Sequence, residues 1–168
     1  MLTLEGSTFS NGRYGIYSYN TVLGNTPELH DCLFENCDKG MYNYDKGIIA
    51  TDNRFNGCDD GLYCEQMTKS SRLERCTAAN NQRFGVYFRG VAKLRVTDPD
   101  IKLNDVGLAV HQANAFVECG NVSENRSAGF TVNGFALLML QTTDGSQHQP
   151  VTAIDNPVTI SCALASNV

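Results

Sequence analysis

The sequence predicts an all-β solenoid, a right-handed single-stranded parallel β-helix of about six to seven coils of 21–25 residues. Three observations predict it. First, a glycine followed by an apolar residue and usually a tyrosine recurs as Gly15-Ile16-Tyr17, Gly40-Met41-Tyr42, Gly61-Leu62-Tyr63 and Gly85-Val86-Tyr87. The pattern continues in weaker form as Gly107-Leu108-Ala109 and Gly129-Phe130-Thr131, with spacings of 25, 21, 24, 22 and 22 residues. Second, four residues before the glycine stands Asn11, Asn36, Asn81 or Asn125, with Gly57 in place of asparagine once and Asn104 displaced by one position. Asparagine tolerates left-handed backbone and bonds to a like neighbour, so these positions read as an internal ladder at a turn. Third, Phe9, Phe34, Phe55, Ala79 and Ile101 come two residues earlier, as inward-facing core layers. A second strand precedes them, as in Leu29-His30-Asp31-Cys32-Leu33-Phe34 and Leu94-Arg95-Val96.

Composition agrees with this class. The 168 residues include 15 glycines, no tryptophan and 18% charged side chains, which suits a turn-rich β protein better than a helical bundle. A 42% hydrophobic content supplies a continuous core. No run of eighteen apolar residues points to a membrane span, and Met1-Leu2-Thr3-Leu4-Glu5 lacks the pattern of a signal peptide. The first repeat begins almost at once, so a piece of a longer protein with neighbouring modules is expected. Seven cysteines, Cys32, Cys37, Cys58, Cys64, Cys76, Cys119 and Cys162, show no metal-type pairing and read as buried core filler. Cys37 and Cys58 each lie three residues before a repeat glycine and are expected to stack in neighbouring turns. The repeats occupy residues 3–140. After Leu140 the stretch from Gln141 to Pro150 is polar and turn-forming. Val151 to Ile154 and Val158 to Ala163 then read as short strands of an irregular last coil or of a following module.

The repeat resembles that of the pectin-lyase-like superfamily, whose coils carry Asn-x-x-x-Gly-Ile-Tyr patterns of this kind. The resemblance implies the β-helix fold and an extracellular or cell-surface setting. It leaves activity open, because that fold hosts lyases, hydrolases, epimerases, phage tailspikes and non-catalytic surface proteins. Cys58-Asp59-Asp60-Gly61 is faintly similar to the paired aspartates of polygalacturonases, but that family's Gly-His-Gly and Arg-Ile-Lys segments are absent, as is the Asp-Pro-His-Glu segment of alginate epimerases. Leucine-rich repeats share the period but not the residues, since their leucine-spaced core is missing.

Strand alternation places the residues two and four after each glycine outside. That predicts an exterior column of Tyr17, Tyr42, Tyr63 and Tyr87, about 4.8 Å apart from coil to coil. Beside it run Tyr19, Tyr44, Glu65, Arg89, His111 and Asn133. Tyrosine rings with polar rims suit sugar binding, and stacked aromatics also stabilise a parallel sheet. Glu65, Arg89 and His111 are the constellation on this face equipped for proton transfer: His111, or else Tyr87, as base and Arg89 as the cation that neutralises a uronate carboxylate.

Two residues before the glycines stand Arg13, Asp38, Asp59, Arg83 and Asp105, opposite charges that can pair between coils. Asp38 beside Asp59 is a like-charge pair and a weak calcium candidate; no other metal or cofactor is expected. Charge is uneven along the chain, −6 over residues 1–68, +5 over 69–102 and −4 over 103–168. Lys69, Arg72, Arg75, Arg83, Arg89, Lys93, Arg95 and Lys102 therefore predict a basic belt that suits an anionic polysaccharide better than nucleic acid, given a pI near 5.1. Asn121-Val122-Ser123 and Asn125-Arg126-Ser127 match glycosylation acceptors, although Asn125 belongs to the expected ladder. Three functions fit: a β-helix module of a larger secreted or cell-surface protein that presents its tyrosine face to carbohydrate, a lyase or other enzyme acting on a uronate-containing glycan, and a structural spacer of an adhesin or phage fibre.

Overall fold

A computed structural model describes residues 2–19, 26–133, 137–141 and 152–154. Each of the first six coils contributes one strand to each of three parallel sheets, and among the described residues a seventh contributes to the first two. The first sheet stacks β1 (Thr3–Glu5), β4 (Glu28–His30), β7 (Ile49–Thr51), β10 (Ser71–Glu74), β13 (Lys93–Thr97), β16 (Asn114–Glu118) and β19 (Leu137–Gln141). The second stacks β2 (Thr8–Ser10), β5 (Leu33–Glu35), β8 (Arg54–Asn56), β11 (Thr77–Ala79), β14 (Asp100–Lys102), β17 (Asn121–Ser123) and β20 (Thr152–Ile154). The third stacks β3 (Tyr14–Ser18), β6 (Lys39–Tyr44), β9 (Asp60–Met67), β12 (Phe84–Gly90), β15 (Val106–His111) and β18 (Ala128–Asn133). None of the described residues forms a helix long and apolar enough to cross a membrane.

Sharp corners join the strands because a residue at each corner adopts a left-handed conformation, joined at Cys119 by Gly120 at φ 82°. Between the first and second sheets these are Gly6, Asp31, Asp52, Arg75, Asp98 and Cys119, and between the second and third Asn11, Asn36, Gly57, Asn80, Leu103 and Glu124. The residue after each corner turns inward. After the second corner the inward column is Cys37, Cys58, Asn81, Asn104 and Asn125, all buried. In it, the side-chain amide of Asn81 donates to Oδ1 of Asn104 at 2.9 Å, and that of Asn104 to Oδ1 of Asn125 at 3.0 Å.

The expected asparagine ladder therefore exists, but it is assembled differently. Asn11 and Asn36 are corner residues, at φ 58° and 52°, and the ladder places in coils two and three are taken by Cys37 and Cys58. The cause is one additional residue between β11 and β12 and again between β17 and β18, which lets asparagines from two columns share one distance to the glycine. The same insertion corrects the fourth core layer from Ala79 to Ala78: Phe55 pairs with Ala78, and Ala78 with Ile101. Phe9, Phe34 and Phe55 stack as predicted, with ring centroids 5.1 and 4.8 Å apart. Cys32, Cys37, Cys58, Cys64, Cys76 and Cys119 are buried free thiols, while Cys162 lies outside the described residues. Thr152–Ile154 pairs in parallel with β17, and the expected strand Val158 to Ala163 lies outside the described residues.

Candidate functional site

The site is the outer face of the third sheet. The glycine of each coil sits where neighbouring coils approach closely: a Cβ on Gly61 would lie 2.6 Å from the carbonyl oxygen of Gly85 and 3.0 Å from Cβ of Phe55. Glycine and the apolar residue after it are both buried in β6 and β9, so the tyrosine that follows faces out. Because the strands are in register, Tyr17 pairs with Tyr42, Tyr42 with Tyr63 and Tyr63 with Tyr87.

Register fixes the ring geometry. Centroids are 5.2 Å apart for Tyr17 and Tyr42, 5.7 Å for Tyr42 and Tyr63, and 4.4 Å for Tyr63 and Tyr87, with planes within 12° of parallel. Tyr19 and Tyr44 stack at 4.9 Å. Tyr14 packs tilted against Tyr17 and Tyr42, so all seven tyrosines of the chain belong to this one face. The stack has a chemical consequence. Successive rings cover one another's faces, leaving ring edges and hydroxyl groups to meet solvent. Tyr17 and Tyr19, in the first coil, are the most exposed at 54% and 52%, whereas Tyr87 is buried at 8%. Tyr42 donates its hydroxyl proton to Oε2 of Glu65 at 3.0 Å, and burial together with that bond raises its pKa well above the usual phenol range. Tyr63 is pushed up to about 12, chiefly by burial and then by Tyr87 and the nearby carboxylates Glu65 and Asp60.

A family described as "Right handed beta helix region" matches residues 1–125. The chain belongs to the right-handed β-helices. Neither the curated proteins nor the solved structures contain a match to it.

On this β-helix the second outer column runs Tyr44, Glu65, Arg89, His111, Asn133, with a shift of register between β9 and β12 at the step from Glu65 to Arg89, and the three expected proton-transfer residues follow one another in it. Arg89 reaches Glu65 at 3.7 Å and pairs in register with His111. His111 also lies against the Tyr87 ring, at 5.2 Å between centroids, and its Nε2 is 3.3 Å from Nδ2 of Asn133. Partial burial, and then the charge of Arg89, lower the His111 pKa, so the ring is neutral at neutral pH. Beyond this column, at the turns that follow the third sheet, lies an open cleft of about 320 Å³ bordered by Gln66, Arg89, Val91 and Gln112.

A third cluster escaped sequence reasoning. Asp60, fully buried, accepts from Lys39 and from Arg83, the latter at 2.5 Å, and the Lys39 ammonium lies 3.7 Å over the Tyr63 ring. Arg83 thus pairs with Asp60 and not with the predicted Asp59. The charge-alternation pattern is visible in the sequence, but the pairing is set by which side of the strand each carboxylate occupies.

The basic belt is also corrected. Arg72 meets Glu74 at 2.6 Å, Arg75 meets Asp52 at 2.8 Å, Arg95 meets Glu118 at 2.8 Å and Lys102 meets Asp100 at 2.8 Å. These four lie on the first and second sheets and the corner between them, and of the belt only Arg83 and Arg89 reach the tyrosine face. Among the described residues no group of three or more metal-ligating side chains gathers, around Asp38 and Asp59 or elsewhere. Asn125 is buried at 1% within the ladder, so its glycosylation motif is shielded in the folded chain.

Proposed function

We propose that this β-helix is a module of a larger secreted or cell-surface protein and presents the tyrosine-lined face of its third sheet to carbohydrate. The fold is that of a carbohydrate-active or structural β-helix domain. The observation that carries the finer reading is the gathering of all seven tyrosines on one outer face, in rows parallel to the solenoid axis. Since the ring faces are largely stacked on one another, a glycan would lie along the rows. Its hydroxyl groups would meet the phenol rims and the polar column of Glu65, Arg89, His111 and Asn133, while its C–H edges cover the ring edges. Affinity would come from repetition along the chain more than from any one contact.

A lyase acting on a uronate-containing glycan is the second reading, and one relationship favours it: a neutral histidine, His111, adjacent to a cation, Arg89. His111 would take the proton from the carbon beside the uronate carboxylate, Arg89 would neutralise that carboxylate, and the leaving glycosidic oxygen would depart with the bonding pair. Glu65, already beside Arg89, opposes the approach of an anion. Calorimetric titration with neutral and acidic oligosaccharides, with ultraviolet absorbance followed for an unsaturated product, separates the readings. Binding that Tyr42→Ala weakens at least tenfold, with no new absorbance, supports the module. Product formation abolished by His111→Ala supports the lyase. Silence toward every glycan leaves the spacer.

A further inference from the structure

We propose that the cleft at the turns after the third sheet is a subsite for one neutral pyranose unit, a hexose without a carboxylate; the assignment rests on the carbohydrate function proposed above and names its sugar class. The cleft arises from the shift of register between β9 and β12. Phe88 pairs with Cys64 and Gly90 with Met67, so Glu65 and Gln66 together stand against Arg89 alone. The extra residue turns left-handed, Gln66 at φ 52°, and a bulge of this kind re-aims the side chains around it. In coil four the chain then drops against coil three: the N–H groups of Val91 and Ala92 both donate to the Met67 carbonyl, at 3.1 and 3.2 Å. Only glycine fits at the drop, since a Cβ on Gly90 would stand 2.3 Å from the Met67 nitrogen. What remains is a gap of about 320 Å³, lined by Gln66 of coil three on one side and Gln112 of coil five on the other.

The lining suits hydroxyl groups. Tyr44 donates its hydroxyl proton to Oε1 of Gln66, which leaves both Gln66 amide protons without a partner among the described residues. The Gln112 carboxamide likewise bonds to none of the described residues. Arg89 is 47% exposed and reaches Glu65 only at 3.7 Å, so its guanidinium has donors to offer. Asp45 adds a carboxylate acceptor, and Val91, 85% exposed, adds an apolar flank for C–H groups. A sugar hydroxyl both donates and accepts, so two carboxamides, a guanidinium and a carboxylate around one ring satisfy a neutral polyol. The volume lies at the small end of the range for ligand sites, which fits one ring and not several.

Charge turns an acidic sugar away. Among the described residues that line the cleft Arg89 alone is a cation, and Asp45 lines the same cleft. Glu65 stands beside the guanidinium and is held there, because its other oxygen accepts from Tyr42 at 3.0 Å. A uronate would therefore bring a third carboxylate to one guanidinium, the like-charge juxtaposition by which sites reject a wrong partner. Tyr44 connects the subsite to the tyrosine rows, since the ring that stacks on Tyr19 at 4.9 Å also anchors Gln66.

The test is calorimetric titration of the full chain with neutral hexaoses of glucose, galactose and mannose and with the corresponding hexauronates. At least one neutral hexaose is expected to bind, and its uronate counterpart at least tenfold more weakly. Gln112→Gly and Val91→Asp change exposed positions, the first at φ 55° where glycine is at ease, and each should weaken the neutral ligand at least fivefold. Asp45→Asn combined with Glu65→Gln removes both carboxylates and should raise uronate affinity at least tenfold, a gain that a misfolded chain could not show. Equal binding of the two classes, neutral binding indifferent to Gln112→Gly and Val91→Asp, or a double variant that still rejects the uronate would overturn the proposal. Tyr42→Ala reads the tyrosine rows separately. Binding lost with Tyr42→Ala but indifferent to the cleft variants defeats only this inference, and the reverse defeats only the role of the rows. Silence toward every glycan overturns both.

Discussion

Asn81 and Asn104 are joined twice: the main-chain N–H and the side-chain amide of Asn81 both donate to Oδ1 of Asn104, at 3.0 and 2.9 Å. The Asn104 amide in turn donates to the Ala78 carbonyl and to Asn125 at 2.9 and 3.0 Å. All of this is buried, so removing the side chain strands donors and an acceptor together. Asn104→Ala is expected to destabilise the chain by about 3 kcal/mol, read as a lower urea midpoint at unchanged slope. A loss below about 1 kcal/mol would mean that the ladder contributes little beyond its volume.

Cys58 holds a ladder place with a weaker group. Its main-chain N–H donates to Oδ1 of Asn81 at 3.0 Å, but its thiol only approaches the Phe34 carbonyl, at 3.9 Å. Asn81 makes the equivalent contact to Phe55 at 3.2 Å. Cys58→Asn extends the ladder by one rung and should raise stability by about 1 kcal/mol in the same urea experiment. A destabilised variant would show that the column is closed to a carboxamide there.

Gly61 tests the close approach of coils. A methyl group there would meet main-chain oxygen at 2.6 Å, which no side-chain rotation relieves. Gly61→Ala is expected to cost about 3 kcal/mol and to loosen the Tyr42–Tyr63–Tyr87 stack, lowering the near-ultraviolet circular dichroism of the tyrosines. Retention of both stability and signal would contradict the packing described.

His111 gives a pH dependence. Its folded pKa lies below the ordinary histidine value, through burial and then Arg89, so the unfolded chain binds this proton more readily. Its contribution is complete above about pH 6.5 and is lost as pH falls from there through the folded pKa. The melting temperature of the unmodified chain should fall more between pH 7.5 and 5 than that of His111→Gln. Equal slopes would place the imidazole in an unperturbed setting.

The period, the phenylalanine layers and the outward tyrosines were legible in the sequence, because register in a parallel β-helix turns a spacing into a neighbour. Phase within the turns was not. The single-residue insertions ahead of β12 and β18 are invisible when positions are counted back from glycine, and they exchanged Ala79 for Ala78 and merged corner asparagines with ladder asparagines. Cys37 and Cys58 showed a shared place but not that they continue the Asn81–Asn125 column. The Lys39–Asp60–Arg83 cluster was hidden for another reason. It needs the side-chain direction at Asp60, and the buried glycine and apolar residue that follow break strict alternation there.

Whether the tyrosine face receives carbohydrate is decided by tyrosine-labelled NMR of the chain during titration with a panel of neutral and acidic oligosaccharides. Ring resonances of Tyr17, Tyr19, Tyr42 and Tyr44 are expected to shift together and saturably with a bound glycan. A glycan that binds while all four remain unmoved would place its site elsewhere and contradict the proposed role of this face.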